Sequence, residues 1–191
     1  MDIILQLWGG VFYLGNKAMF ALSEREIAEK KRTFKMLAWS AYIIGVPAWI
    51  IILTGKHNWI AASVEAGGIP AMILGLYNTY YYHQKPNRLF NNIVSFFTYA
   101  SLTFGLVFSL HHHGGLISLS QVFEIGVMIG FLMGGFLMAN NNSRGWLFFM
   151  LMNLSMAALM LLQGKYILMV QQLLSLCFVL YGFKKSTSDS E

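Results

Sequence analysis

The chain consists mainly of long apolar stretches separated by short polar turns. A helix needs about 20 apolar residues to cross the hydrocarbon core of a bilayer. Seven stretches are candidates: 2–20, 34–54, 59–82, 90–110, 116–139, 146–163 and 166–183. The first is the weakest, because Asn16 and Lys17 interrupt it. Since backbone polar groups must be satisfied internally in lipid, the pattern predicts an all-α integral membrane protein with about seven transmembrane helices.

Composition excludes several other classes of protein. Charged residues make up 11% of the 191 residues, against roughly 25% in an ordinary soluble domain. One cysteine excludes a disulfide framework. The net charge of +5 does not indicate nucleic-acid binding, because the basic residues lie between the apolar stretches.

Motifs of enzymes do not occur in the sequence. It contains no Walker A, HExxH or GxSxG pattern, so we expect no enzymatic activity and no cofactor. The three adjacent histidines, His111 to His113, are interpreted as a loop and not as a metal site, because metal ligands usually need spacing on a scaffold.

The distribution of Lys and Arg predicts the orientation. Eleven of these residues lie on one side of the predicted bundle if Lys17 is counted at the edge of the first loop, and Lys56 and Lys165 lie on the other side. With seven spans, this bias predicts a cytoplasmic C-terminus and an external N-terminus.

Two segments resemble each other and indicate an internal repeat. Leu53–Lys56 matches Leu162–Lys165 at an offset of 109 residues, and Gly75 matches Gly182 at an offset of 107. The repeat predicts a 3+1+3 arrangement, with a first three-helix unit at 1–83, a linker transmembrane helix at 84–114 and a second unit with the tail at 115–191.

Several polar side chains fall near the middle of the predicted spans. A rise of 1.5 Å per residue converts the position of a residue in its span into a depth in the membrane. By this measure the group comprises Glu65, Glu124, Asn153, Gln171 and Gln172. Ionisable groups at this depth are costly and are candidates for function. Their shared depth predicts one central cavity.

The stretch from Trp146 to Asn153 is the strongest candidate site. Trp146, Phe149 and Asn153 have i, i+3, i+7 spacing and share one helix face. Aromatic rings followed by an amide suit a flat, polar heterocycle, which stacks on the rings and pairs with the amide. Gln121 and Glu124 share a face of the preceding span by the same reasoning.

Structural roles remain open for these residues. Trp146 lies near Arg144 and could anchor the helix at the interface. Asn153 and the two glutamines could connect helices by hydrogen bonds. Glu65 could be a protonated structural residue.

The residues from 124 to 185 resemble the C-terminal half of the PnuC family of bacterial vitamin transporters. The matching features are Trp146, Asn153, Gly164-Lys165-Tyr166 and Tyr181-Gly182-Phe183. Phe149 stands where the family usually has a second tryptophan. The resemblance implies a fold similar to the SWEET sugar transporters and a substrate site lined by Trp146 and Asn153.

This resemblance favours passive transport of a vitamin across the bacterial inner membrane, and among the vitamins it favours nicotinamide riboside. A cytoplasmic kinase would trap the vitamin, and a homo-oligomer, such as a trimer, would fit the family. Residues 1–83 would rock against 115–191. Glu65 and Glu124 could pair with a cationic ring. The alternatives are a thiamine or riboflavin carrier, a SWEET-like sugar carrier, or a membrane accessory protein that transports nothing.

Overall fold

The protein is all-helical in a computed structural model, which describes residues 2–55, 59–81, 87–116 and 118–188. Within these ranges the chain forms seven α-helices: α1 Asp2–Ser23, α2 Ala28–Gly55, α3 Trp59–Tyr80, α4 Arg88–His113, α5 Leu119–Ala139, α6 Gly145–Leu162 and α7 Tyr166–Ser188. Each predicted span corresponds to one helix. The three adjacent histidines belong to the last turn of α4, so the expectation of a loop at His111–His113 is wrong.

Five of the described helices are long and apolar enough to cross a membrane: α2, α4, α5, α6 and α7. The prediction of a multi-pass, all-α membrane protein is therefore supported, while crossings by α1 and α3 stay predictions. Many large apolar side chains on the outer faces are exposed, among them Phe96 and Phe104 of α4 and Ile167 of α7. Such apolar exposure suits a protein surrounded by lipid.

The polar turn between α1 and α2 is held by ion pairs. Lys31 Nζ lies 2.7 Å and Lys35 Nζ 3.7 Å from the Glu24 carboxylate. These lysines belong to α2, which begins six residues before the predicted span. Arg32 donates to the carbonyl oxygens of Thr79 and Tyr80 at 3.3 and 2.7 Å, and so satisfies acceptors that the end of α3 leaves unpaired.

Six helices contact one another in a closed cyclic order. The order is α1, α2, α3, α5, α6 and α7, and α7 returns to α1. The remaining helix, α4, packs outside this ring against α3 and α5. Side chains from the six helices of the ring therefore meet in the centre of the ring.

Helix α4 is followed by Gly114, whose φ of 69° is the left-handed conformation that glycine adopts at little cost.

Two tryptophans occupy equivalent places in this ring. Trp39 of α2 packs on Gly75 of α3, and Trp146 of α6 packs on Gly182 of α7. Each tryptophan is separated from its glycine by 36 positions, and the two pairs lie 107 residues apart. The predicted offset of 107 after the turn therefore relates packed residues of the two segments. The predicted offset of 109 involves Lys56, which lies outside the described residues.

Candidate functional site

The predicted face of α6 points into the ring. Trp146, Phe149 and Asn153 are each fully buried, in agreement with the shared helix face that i, i+3, i+7 spacing gives. The rings of Trp146 and Phe149 meet edge to face with centroids 6.5 Å apart. The prediction that these three residues share one face is confirmed. Burial of Trp146 also contradicts the alternative that it is an anchor in the lipid interface.

A tyrosine of α1 joins the two amides of the site. The Tyr13 hydroxyl lies 3.2 Å from Asn153 Oδ1 and 3.1 Å from Gln172 Oε1. One hydroxyl proton serves one acceptor at a time, so one of the two amide oxygens can accept a further hydrogen bond. Asn153 Nδ2 donates to the Phe149 carbonyl oxygen at 2.7 Å, which fixes the orientation of the amide. Ser175 of α7 is fully buried beside Tyr13.

A lysine lies at the centre of these aromatic rings. Lys17 of α1 is fully buried, and its Nζ lies 3.2 Å from the centroid of the Phe149 ring. It also lies 4.9 Å from the Tyr42 ring and 5.6 Å from the Tyr13 ring. Ring faces attract a cation electrostatically. The counting of Lys17 with the first loop is therefore wrong: α1 continues through Asn16 and Lys17 to Ser23.

The acidic residue predicted on α3 belongs to the same region. Glu65 is half-buried and interacts electrostatically with Lys17, Tyr13 and Tyr42. Lys17 and Glu65 form no ion pair within 4.0 Å; the ion pairs found in the described parts of the chain both involve Glu24. Glu65 thus lies near Lys17 and the two tyrosines without a direct ion pair to Lys17.

Gln171 borders the site from α7. Its Nε2 is buried and has no hydrogen-bond partner among the described residues. A Cβ atom at Gly10 of α1 would lie 3.3 Å from this nitrogen, so the side chain lies against the neighbouring helix. Gln172, one position further, is buried and reaches Tyr13.

Two of the predicted site residues lie elsewhere. Gln121 is buried, and its Nε2 donates to the Ser109 carbonyl oxygen and hydroxyl at 3.3 and 3.4 Å, which ties α5 to α4. Glu124 is exposed and lies 3.4 Å from the Ser120 hydroxyl one turn earlier in the same helix. Glu124 forms no hydrogen bond or ion pair with Tyr13, Lys17 or Asn153 in the described parts of the chain.

Sequence reasoning missed three members of the site, Tyr13, Lys17 and Tyr42. For Lys17 a signal was available, because an ionisable residue inside an apolar stretch is a functional candidate. For the two tyrosines no such signal exists, since tyrosine is common in membrane helices and only its neighbours reveal its role.

The assembled site combines three kinds of chemistry. The Trp146 and Phe149 rings offer apolar surfaces suited to a flat ring, the amides of Asn153 and Gln172 offer donors and acceptors, and Lys17 offers a positive charge. Among the described residues, no three His, Cys, Asp or Glu side chains cluster as metal ligands would. Apolar rings with a few convergent polar groups are the combination from which sites for small solutes are commonly built.

No family model matches the chain, and neither a curated protein nor a solved structure matches it. Membership of a transporter family therefore stays a prediction. What the chain does must be inferred from its own contacts.

Proposed function

We propose that this protein is a passive carrier of a small, flat, vitamin-like solute of the PnuC type. The observation that carries the proposal is the hydrogen-bonded group of Tyr13, Asn153 and Gln172 beside the buried rings of Trp146 and Phe149. Three separate helices supply these residues, and the group lies inside a ring of helices. Aromatic surfaces next to amides suit a heterocycle with polar edges. Nicotinamide riboside is the cargo that the family resemblance puts first.

Two features support a 3+1+3 arrangement. The cyclic contacts pair α1–α2–α3 with α5–α6–α7 and leave α4 outside as a linker. The Trp39–Gly75 and Trp146–Gly182 pairs repeat at one offset, as two equivalent units would require. We take residues 1–83 and 115–191 as the two units and 84–114 as the linker.

Transport would follow from rocking of the two units about the site. Lys17, Phe149 and Asn153 are closed to solvent, so a solute reaches them only when the units separate on one side. The contact of α3 with α5 and that of α1 with α7 are the places where the units meet. With no nucleotide-binding loop in the sequence, the gradient of the solute drives uptake, and a cytoplasmic kinase would maintain that gradient by trapping the vitamin.

The proposed orientation in a bacterial inner membrane places the C-terminus in the cytoplasm. After the removal of Lys17 from the count, ten Lys and Arg residues remain on the proposed inner side and two on the outer side. The bias is still strong by the positive-inside rule.

Cysteine labelling of intact cells tests this orientation. Ser143 and Gln163 are both exposed, in the turns before and after α6. In a Cys177→Ser background, we expect a membrane-impermeant maleimide to label Gln163→Cys in intact cells and Ser143→Cys only after permeabilisation. The reverse pattern would place the C-terminus outside and reject the orientation.

Calorimetric titration of the detergent-purified protein tests the function. The panel contains nicotinamide riboside, nicotinate, thiamine, riboflavin and glucose. We expect at least one vitamin to bind with a dissociation constant in the micromolar range. The Asn153→Leu variant should lose about ten-fold or more in affinity, since it removes both the acceptor and the donor of the amide.

The outcomes separate the proposal from its alternatives. Binding of glucose alone would indicate a SWEET-like sugar carrier. Failure of all five solutes to bind folded protein, with unimpaired function of Asn153→Leu in cells, would reject the carrier and favour an accessory membrane protein. Uptake of the bound vitamin into liposomes without an ion gradient or ATP would complete the evidence for passive transport.

A further inference from the structure

The side chain of Lys17 has no direct counter-ion in the part of the chain that the structure describes. Its Nζ is buried and donates to no hydrogen-bond acceptor there, and no carboxylate lies within 4.0 Å of it. A buried cation costs several kcal/mol unless it is paired. The faces of Phe149 and Tyr42 offset part of this cost, but an aromatic face accepts no conventional hydrogen bond from the three ammonium donors.

The neighbouring polar atoms that also lack a described partner are mostly donors. The Tyr42 hydroxyl is carried by the ring whose centroid lies 4.9 Å from Lys17 Nζ. Trp146 Nε1 belongs to the indole whose centroid lies 6.5 Å from that of the Phe149 ring. Both are buried and unpaired among the described residues. A hydroxyl can donate or accept, while an indole N–H and an ammonium only donate. Such a group of donors fits an oxygen-rich anion better than a cation or a neutral amide.

From these contacts we propose that Lys17 binds a carboxylate carried on the flat ring of the cargo. The inference rests on the proposed function, because it specifies the substrate of that same site. The ring of the cargo stacks against the Trp146 and Phe149 side, and its carboxylate meets the Lys17 ammonium. The Tyr42 hydroxyl, on the ring 4.9 Å from Lys17 Nζ, is buried without a described partner and would donate to the same carboxylate.

Glu65 modulates this preference. Its carboxylate interacts electrostatically with Lys17 without touching it, so it attracts the ammonium when the site is empty and repels an anionic cargo. A solute whose only charge is a cationic ring gains from Glu65 but is repelled by Lys17. The two residues therefore affect the selectivity for charge in opposite directions.

A matched pair of ligands tests the inference by calorimetry on the full chain. Nicotinate and nicotinamide share one ring and differ by a carboxylate against an amide. We expect wild-type protein to prefer nicotinate by about ten-fold or more, the size of a hydrogen bond to a charged group.

Lys17→Met should abolish this preference, so that the acidic and the neutral ligand bind with similar affinity. Methionine fills a similar volume without charge. Removal of an unpaired buried charge favours folding, and a melting curve of the variant checks that it is folded. Glu65→Gln should shift the preference in the opposite direction, toward the acidic ligand. This second variant keeps the test valid if Lys17→Met does not fold.

The outcomes distinguish this inference from the proposed function. Equal affinity for nicotinate and nicotinamide in wild-type protein, or an unchanged preference in Lys17→Met, would overturn the role of Lys17 while the vitamin carrier stands. Absence of binding by the panel of vitamins and by both members of the pair would overturn the carrier and the inference together.

Discussion

Replacing Gly182 by leucine is expected to destabilise the protein more than any other single change proposed for it. A Cβ atom at this position would lie 2.5 Å from Trp146 Cη2 and 2.6 Å from its Cζ2. The indole is fully buried and cannot move aside like a flexible side chain. Overpacking of this kind costs about 1–3 kcal/mol and occasionally more, and the branched leucine side chain adds to it.

The measurement is the melting temperature of detergent-purified protein, followed by intrinsic fluorescence of tryptophan. We expect Gly182→Leu to lower it strongly and Gly182→Ala to lower it less. Gly15→Ala is the matched control, because a Cβ atom at Gly15 meets nothing within 4 Å and alanine favours a helix. A melting temperature of Gly182→Leu equal to that of the control would mean that Trp146 does not pack on α7.

Removal of the Tyr13 hydroxyl is expected to have the second largest effect. Tyr13→Phe leaves the ring in place but removes the donor at 3.2 Å from Asn153 Oδ1 and 3.1 Å from Gln172 Oε1. Loss of a partner for a buried acceptor costs about 1–3 kcal/mol. Because the hydroxyl also orients both amides toward the cargo, we expect affinity for the bound vitamin to fall by about ten-fold.

Titration with the vitamin that binds wild-type protein measures this loss. Tyr181→Phe is the control, since Tyr181 is exposed on the outer face of α7 and the same hydroxyl is removed there. Unchanged affinity in Tyr13→Phe, together with a lower melting temperature, would assign the hydrogen bonds a purely structural role. Unchanged values of both would remove Tyr13 from the site.

The helices and one face of the site were predictable from the sequence. Apolar stretches of membrane-spanning length have few alternatives in lipid, and the ends of the predicted spans agree with α3, α5 and α6 within about three residues. The grouping of Trp146, Phe149 and Asn153 was predictable as well. Residues at i, i+3 and i+7 share a face in any α-helix, whatever the helix packs against.

The grouping of residues from different helices was not predictable in the same way. Equal depth in the membrane suggested that Glu124 would join Asn153, and i, i+3 spacing placed Gln121 on the same face as Glu124. Depth, however, leaves the rotation of each helix undetermined. Packing of α5 places Glu124 on an exposed surface and directs Gln121 to Ser109 of α4. Packing of α1 against α2 and α7 turns Lys17 inward.

The sequence by itself therefore determined the class of protein, the seven helices and the polar face of α6, because local periodicity and the cost of unpaired backbone groups in lipid act within single segments. Only the tertiary structure decided which faces meet. It placed Tyr13 between the amides of α6 and α7, and it placed Lys17 on the ring of Phe149. Those contacts depend on the rotation and order of the helices, which side-chain packing between distant segments decides.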